Sequence, residues 1–268
     1  MVEKRQDATV ARKSMTPNQR TMSKSRSLLA GPARAASRSH RLHRVRCWTR
    51  GYAAPASPAP EIYDVVCVGG GPAGLSLLAG LRSSPATAGL KVALIEGQDI
   101  RRNNEKFNSD GPFSNRCSSL TPASVAHLKD IGAWPLLEKH RVQPYHEMQV
   151  WDGVTGSRIS FDWAGPSQGL VQSPDPTGTI AYMIENNNLT KALFSRLSAL
   201  GGCAVLSPAR VASIDLGADR GDLDLRSWPV VTLDDGRTLA ARLLVGADGA
   251  NSPVRAFAGI ASRGWDYG

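Results

Sequence analysis

Cysteine and histidine are scarce in this chain of 268 residues, which holds four Cys and five His. The cysteines form no Cys-x-x-Cys pair and no regular framework, a pattern typical of buried thiols in a reducing compartment rather than of a disulfide scaffold. The histidines show no spacing suited to a metal ion. The sequence also lacks internal repeats and any apolar run long enough to cross a bilayer. What remains is a chain that can bury one large core or two modest ones.

Acidic side chains are nearly missing from residues 1–60, where 13 Lys and Arg accompany only Glu3 and Asp7. The rest of the chain holds 19 basic and 21 acidic residues, so the formal net charge of +9 comes from the first 60 residues alone. A folded basic surface for nucleic acid is therefore not expected, and we predict no nucleic-acid partner.

Residues 1–52 are rich in Arg, Ser and Ala and lack the apolar segment of a secretory signal. This composition predicts a mitochondrial presequence, and the stretch Arg50–Tyr52, which precedes small residues, is similar to a processing site. The alternative is a disordered basic arm that binds nucleic acid or acidic lipid. Residues 53–60, with the sequence AAPASPAP, predict a stiff linker.

A strand, a glycine loop and a helix follow one another in IYDVVCVGGGPAGLSLLAGL, from Ile62 to Leu81. The unbroken apolar run before the loop is typical of a central parallel strand. Gly69, Gly71 and Gly74 match Gly-x-Gly-x-x-Gly. The first glycine permits a tight turn, the second lets backbone approach a pyrophosphate, and the third lets the helix pack on the strand.

A second strand, KVALIE, ends at Glu96, twenty-two residues after Gly74. A carboxylate at this distance can accept hydrogen bonds from a ribose hydroxyl, so the unit predicts a dinucleotide site. One departure is Leu78, which stands where such helices usually carry a small residue against the sheet. The motif does not decide between a nicotinamide and a flavin dinucleotide.

An antiparallel excursion is predicted after this unit. The segments EMQVWD and SRISFD alternate around GVTG and indicate a hairpin. TIAYMIEN indicates a strand, and NNNLTKALFSRLSAL a helix with a leucine stripe that faces the core. Further strands are expected at 204–206, 210–214, 230–233 and 238–245, the last two joined by the turn DDG. The chain should then return to finish the first sheet.

Arg116 lies just before an amphipathic helix that should begin near Thr121 or Pro122. Its surroundings, SNRCSSLTPAS, are polar. Composition alone therefore favours a surface arginine in a polar loop.

A second candidate anion site is GADGANSPVR, from Gly246 to Arg255, which follows the apolar strand RLLV. Asn251 or Ser252 can cap a helix there, and Pro253 suits its first turn. A strand that ends in a glycine-flanked turn and a helix start is a favourable place for an anion. Taken alone, Asp248 in this turn is an ordinary loop acid.

The two turns together resemble the aromatic-ring hydroxylase group of FAD-dependent monooxygenases, typified by p-hydroxybenzoate hydroxylase. Within the group, the segments SNRCSSLTPAS, MQVWD, LLVGADGANSPVR and GWDYG are similar to the mitochondrial monooxygenases of ubiquinone biosynthesis, of fungal type. The resemblance covers residues 61–268. It implies an α/β fold, in which a Rossmann-like FAD-binding domain carries inserted antiparallel strands from a substrate domain that is incomplete here.

The resemblance also implies the cofactor contacts. The adenosine end of FAD would be held by Gly69, Gly71, Pro72, Ala73, Gly74 and Glu96. Arg116 would contact the FAD diphosphate or the flavin, and Asp248 and Gly249 the diphosphate or the ribityl chain. No catalytic acid or base is expected, because the flavin carries the oxygen chemistry while the protein supplies orientation and a dry cavity. No metal is expected.

The implied reaction is ring hydroxylation of a polyprenylated phenol on the way to ubiquinone. It uses molecular oxygen, with a ferredoxin and its reductase as electron donors. The implied location is the matrix side of the mitochondrial inner membrane, as a peripheral member of the ubiquinone biosynthetic complex. The alternatives are another FAD-dependent hydroxylase or reductase of the same fold, and a non-catalytic FAD-binding component of that complex.

The same resemblance divides the chain into a first FAD-binding part at 61–144, substrate-domain strands at 145–184 and a second FAD-binding part at 185–268. Members of the group carry a third signature further along, a Gly-Asp turn followed closely by a His. The Gly221–Asp222 pair has neither a histidine nor a helix start after it. We therefore expect the chain to be incomplete as an enzyme, with unpaired inserted strands and weakly held FAD.

Overall fold

The computed structural model describes residues 59–162, 178–221 and 223–266. The predicted presequence, most of the linker, Asp222 and the last two residues lie outside the described residues.

The described residues form eleven strands and five α-helices, with two short 3₁₀ helices at Trp134–Leu136 and Lys139–Arg141. In chain order the strands and α-helices are β1 (Glu61–Val68), α1 (Pro72–Ser83), β2 (Val92–Ile95), α2 (Ile100–Glu105), β3 (Cys117–Leu120), α3 (Pro122–Asp130), β4 (Val142–Tyr145), β5 (Glu147–Trp151), β6 (Arg158–Asp162), β7 (Ala181–Glu185), α4 (Asn186–Leu200), β8 (Cys203–Leu206), β9 (Val211–Leu216), β10 (Pro229–Leu233), β11 (Thr238–Gly246) and α5 (Pro253–Phe257).

A six-stranded sheet has the order β8-β2-β1-β11-β10-β9. Strands β8, β2, β1 and β11 are parallel, whereas β10 and β9 continue the sheet antiparallel. The chain therefore leaves the first unit after β2 and returns to pair β8 with β2 and β11 with β1, as predicted. In register, Val68 faces both Ile95 and Gly246, so the carboxyl ends of the three central strands share one edge.

Both faces of this sheet are covered, which explains the continuous apolar run of β1. Cys67 belongs to the cluster beneath α1 and α4, and its neighbour Val66 to a second cluster on the opposite face. The predicted leucine stripe of α4 packs in the first cluster through Leu189, Leu193 and Leu197, while Leu200 stays partly exposed. The bulky residue noted in α1, Leu78, is fully buried in the same cluster.

A second sheet has the order β3-β7-β4 and is antiparallel throughout. The strand β7 was predicted, but β3 and β4 were not, and the polar loop around Arg116 ends at Cys117 rather than at the helix. The sequences CSSL and VQPY lack a clear apolar alternation, and Pro144 suits only an edge strand because it cannot donate to a neighbour. Pairing with β7 therefore defines both strands.

The predicted hairpin is formed by β5 and β6, which pair from Glu147 opposite Asp162 to Trp151 opposite Arg158. All ten residues of the two strands are exposed. Among the described residues these strands pair only with each other, whereas β7, from the same 145–184 region, belongs to the sheet with β3 and β4.

Candidate functional site

The two glycine-containing turns lie against each other at the carboxyl edge of the large sheet. The Ala247 N–H donates to the Val68 carbonyl at 2.7 Å. Gly69 has φ of +110°, and a Cβ added there would lie 2.1 Å from the Ala247 carbonyl oxygen. A side chain at Gly69 is thus excluded both by its backbone conformation and by the second turn.

The other two glycines of the motif differ in what surrounds them. A Cβ at Gly74 would lie 2.1 Å from the Gly69 carbonyl oxygen, so this glycine permits the close approach of α1 to the first turn, as predicted. A Cβ at Gly71 would meet nothing within 4 Å, and the φ of Gly71 is an ordinary −75°. Within the described part of the chain, Gly71 therefore has space in front of it rather than a neighbour.

Glu96 is held at the end of β2 by two backbone donors. Its Oε2 accepts a hydrogen bond from the Gly70 N–H at 2.6 Å, and its Oε1 accepts one from the Gln98 N–H at 2.7 Å. A carboxylate oxygen has more than one lone pair, so both oxygens retain acceptor capacity toward a ligand.

A cavity of about 460 Å³ opens in front of these groups. Its inner wall consists of Gly70, Gly71, Pro72 and Glu96. Its outer wall includes Arg116, residues of the first turns of α4, and, from α2 and the residues just after it, Asn103, Asn104, Lys106 and Phe107. Gln98 and Ile100 complete the lining. The structure thus places Arg116, Gly71, Pro72 and Glu96 around one cavity. The two positive charges of Lys106 and Arg116 exceed the single negative charge of Glu96 among the lining residues.

The remaining predicted site residues lie outside this lining. Gly69 and Gly74 stand behind the turn, and Ala73 faces a second cavity of about 480 Å³ between α1, α3 and α4. Asp248 accepts a hydrogen bond on Oδ2 from the Val254 N–H at 3.3 Å and so connects the second turn to α5. Gly249 has φ of +82° in the same turn.

The start of α5 agrees with the sequence prediction. Ser252, the second of the two proposed capping residues, accepts a hydrogen bond from the Arg255 N–H at 2.9 Å. Pro253 occupies the first helical position, where its missing N–H costs nothing.

Cys67 lies directly behind the first turn. Burial, together with the nearby Cys203 and Asp248, raises the pKa of its thiol to about 12. The thiol therefore remains protonated at neutral pH and acts as a packing residue.

Several residues that line the first cavity were not predicted from the sequence, and they belong to α2, to the residue after it, and to α4. Asn103, Asn104 and Lys106 belong to or follow α2, and Asn186, Asn187 and Thr190 belong to α4. The Nδ2 atom of Asn104 is buried and has no hydrogen-bond partner among the described residues. The sequence feature that could have predicted α2 is Asp99, a residue type that favours the N-terminus of a helix. Its side chain caps α2 by accepting a hydrogen bond from the Arg102 N–H at 3.0 Å.

Within residues 59–162, 178–221 and 223–266, no group of three or more His, Cys, Asp or Glu could hold a metal ion. No helix in these ranges combines the length and the apolar character needed to span a bilayer.

Comparison with known proteins matches residues 62–267 to the family described as FAD binding domain. Ubiquinone biosynthesis monooxygenase COQ6, mitochondrial, from Saccharomyces cerevisiae is 36% identical over 228 residues, which cover 83% of this chain and 44% of the relative. Ubiquinone hydroxylase UbiL from Rhodospirillum rubrum is 38% identical over 210 residues, or 78% of this chain and 42% of the relative. The chain thus spans less than half the length of these curated relatives.

Solved structures agree in fold. A PqsL variant from P. aeruginosa superposes with a TM-score of 0.55 at 22% identity and covers 77% of this chain and 48% of that one. The p-nitrophenol 4-monooxygenase PnpA from Pseudomonas putida gives a TM-score of 0.53 at 22% identity, over 77% of this chain and 46% of that one. At this identity the likeness concerns the fold alone.

Proposed function

The chain belongs to the family of FAD binding domains, and we propose that it forms the cofactor-binding part of a monooxygenase that hydroxylates the aromatic ring of a polyprenylated phenol in ubiquinone biosynthesis. One observation chiefly supports the proposal. In a chain of this family, the Gly-x-Gly-x-x-Gly turn, Glu96 and Arg116 surround one cavity at the edge where the central strands end.

The residues around the cavity fit FAD. Gly71 has open space where the family brings backbone close to a diphosphate, and α1 begins directly behind it, so its N-terminal N–H groups favour an anion. Lys106 and Arg116 add positive charge, and Asn104 offers an amide donor that has no partner among the described residues. An unpaired buried donor is costly, so a ligand acceptor there would relieve the cost.

The proposed contacts divide between the two ends of the cofactor. Glu96 accepts hydrogen bonds from the ribose hydroxyls, and its orientation is fixed by the Gly70 and Gln98 N–H groups. The glycine turn, with Pro72 and Ala73, holds the rest of the adenosine end. Arg116 binds the diphosphate, while Asp248 and Gly249 lie on the second turn for the diphosphate or the ribityl chain. FAD, when bound, supplies the oxygen and electron chemistry.

The hairpin β5–β6 is the part of the chain that we assign to substrate binding. Its cross-strand pairs Met148–Phe161 and Val150–Ile159 share one face, which is apolar. The other face carries two polar pairs and the pair Trp151–Arg158. All four apolar side chains are exposed by more than a third. Such a face suits a substrate domain that binds an apolar, polyprenylated molecule.

The named relatives support the biological setting of the proposal. They are a mitochondrial ubiquinone biosynthesis monooxygenase and a ubiquinone hydroxylase. From the predicted presequence and the resemblance in sequence, we further propose a location for this protein on the matrix side of the mitochondrial inner membrane, within the ubiquinone biosynthetic complex. Its co-substrate is molecular oxygen, and its electrons come from a ferredoxin system.

Deletion of the gene tests the substrate class. We expect accumulation of a polyprenylated intermediate that is complete except for one ring hydroxyl, identified by mass spectrometry of the quinone fraction. An unchanged quinone profile would contradict the proposal. Oxygen uptake by the purified full-length protein with reductant and the accumulated intermediate then separates an enzyme from a non-catalytic FAD carrier, because only the enzyme consumes oxygen in step with the substrate.

A further inference from the structure

The outer wall of the cavity includes a loop, residues 107–116, that connects α2 to β3. Phe107 begins this loop and Arg116 ends it, and both line the cavity. The loop contains no helix or strand of its own, so contacts from elsewhere in the chain must fix its shape.

Arg141 provides the first set of these contacts. Its Nε donates to the Ser109 carbonyl at 2.7 Å, and its Nη2 donates to the Gly111 carbonyl. The guanidinium also lies over the Phe113 ring, with its carbon 4.4 Å from the ring centroid. It lies over the Phe107 ring as well, at 5.7 Å, so one planar side chain contacts the loop at four positions.

Glu185 provides the second set. Its Oε2 accepts from Arg141 Nη1 at 2.7 Å, and its Oε1 accepts from the Ser114 N–H. The side chains of Arg141 and Glu185 are only 2% and 4% exposed. The next residue, Asn186, donates its N–H to the Arg116 carbonyl at 2.9 Å, which connects this pair to the end of the loop.

Neither charged side chain lines the cavity formed by the described residues. Burying an ion pair is costly, and an apolar pair of similar volume is often equally stable, so stability alone does not account for the arrangement. Every side-chain hydrogen bond of Arg141, and both of those received by the Glu185 carboxylate, serve either the pair itself or the loop backbone. The pair is therefore suited to fixing a conformation.

We propose that Arg141 and Glu185 are positioning residues, which hold the loop so that Arg116 points its charge at the diphosphate of FAD. This inference rests on the proposed function, because it assumes that Arg116 binds FAD. Arg141 then supplies no contact to the cofactor itself and acts through the loop, whose charge is that of Arg116. Its contact with the Phe107 ring, which also lines the cavity, accounts for the residual effect allowed in the double variant below.

A double-mutant cycle in the full-length protein tests this dependence, with FAD affinity of the apoprotein measured by quenching of flavin fluorescence. Arg116→Ala should weaken FAD binding by about 10- to 100-fold, as expected for one to two charge-assisted hydrogen bonds. Arg141→Lys keeps the charge but cannot reach both loop carbonyls and should weaken binding by about tenfold. Adding Arg141→Lys to Arg116→Ala should cause no further loss beyond about threefold.

Arg82→Lys is the matched control. Arg82 also binds loop carbonyls, those of Gly201, Ala88 and Leu90, but it lies outside the cavity. This variant should lower the melting temperature and leave FAD affinity unchanged. If Arg141→Lys fails to fold, Glu185→Asp, which shortens the acceptor while keeping its charge, replaces it in the cycle.

The outcomes separate the two claims. Unchanged FAD affinity in Arg116→Ala would contradict the proposed diphosphate contact and, with it, the positioning role. Weak binding in Arg116→Ala together with normal binding in the folded Arg141 or Glu185 variant would overturn the positioning role alone. Losses that simply multiply in the double variant would also overturn it, because Arg141 would then act independently of Arg116.

Discussion

The two walls of the cavity are built in different ways. The inner wall rests on a tightly packed turn: behind it, Gly69 and Gly74 leave no room for a Cβ, and the Gly70 N–H in front donates to the Glu96 carboxylate. The loop of the outer wall is held from behind by side-chain contacts that span 44 residues, from Arg141 to Glu185, and 71 residues, from Ser114 to Glu185. One wall is local and rigid by sterics, whereas the other depends on distant partners.

This difference predicts how each wall responds to substitution. The packed side of the turn behind the inner wall should fail when a single carbon atom is added at Gly69, since the neighbouring carbonyl cannot move away without disturbing the sheet edge. A wall held by hydrogen-bonded side chains should weaken by degrees and should respond to the charge state of its partners. The variants that follow test this contrast in the full-length protein, from the largest expected effect to the smallest.

Gly69→Ala should have the largest effect. The added Cβ would lie 2.1 Å from the Ala247 carbonyl oxygen, and the residue already has φ of +110°. We expect a loss of about 4 kcal/mol or more in the free energy of unfolding, measured by urea denaturation, or failure to fold. Gly236→Ala is the control, since Gly236 has φ of +85° but nothing within 4 Å of an added Cβ, so it should lose only about 1 kcal/mol. Equal losses in the two variants would refute the steric explanation.

Gly71→Val should preserve the fold and remove the cofactor. Its Cβ would meet no protein atom within 4 Å, so the new side chain enters the space assigned to the diphosphate. We expect a melting temperature close to that of the wild type and a flavin content reduced to a trace, read from the flavin absorbance of the purified protein. Gly89→Val is the matched control, because Gly89 also has open space but lies outside the cavity lining. Stoichiometric FAD in Gly71→Val would show that this turn is not the cofactor site.

Glu185→Gln tests the outer wall through pH. Burial alone would raise the pKa of Glu185, but the Ser114 N–H and the Arg141 guanidinium favour its charged form, and the pKa is lowered overall. A carboxyl with a lowered pKa in the folded state stabilises the fold above its unfolded pKa of about 4.3, and this contribution is lost as the pH falls through the lower folded value.

At neutral pH the Gln variant should therefore be less stable than the wild type by about 3–5 kcal/mol, because it leaves Arg141 buried without its counter-charge. The difference should shrink only below about pH 4. Urea denaturation of both proteins across pH 3–8 measures it. A difference that stayed constant down to the lowest pH would mean that the Glu185 charge does not support the outer wall.

The same contrast explains how much of the molecule could be predicted from its sequence. The β1–turn–α1 unit and the start of α5 depend on residues a few positions apart, and Glu96 follows Gly74 at a fixed spacing, so pattern and spacing predicted all three, with the α5 cap left between Asn251 and Ser252. The strands β3 and β4 depend on pairing with β7, and neither has a clear apolar alternation of its own. Likewise the Arg141–Glu185 pair has no local signal, since each residue alone is an ordinary charged side chain in the sequence.

Arg116 lies between these two cases. Composition favoured a surface arginine, and its side chain is exposed, yet the fold brings it to the same cavity as Gly71 and Glu96. Only the resemblance to a family pointed to this position. A cavity wall assembled from distant parts of the chain gives a single sequence no periodic pattern from which it could be recognised.

The leader should influence neither wall, and this is the smallest expected effect. Residues 1–60 carry 13 Lys and Arg with two acids, whereas the remainder of the chain is nearly neutral. If the leader is a presequence, import removes it, and protein recovered from mitochondria should begin near Ala53 when its N-terminus is sequenced. FAD affinity should be equal in the precursor and the processed protein, within about twofold, because none of the cavity-lining residues belongs to residues 1–60 and charges in water are screened beyond about 10 Å at moderate salt. Recovery of protein that begins at Met1 from the cytosol or nucleus would refute the targeting prediction. An FAD affinity that fell on processing would mean that the charge of the leader acts at the cofactor site.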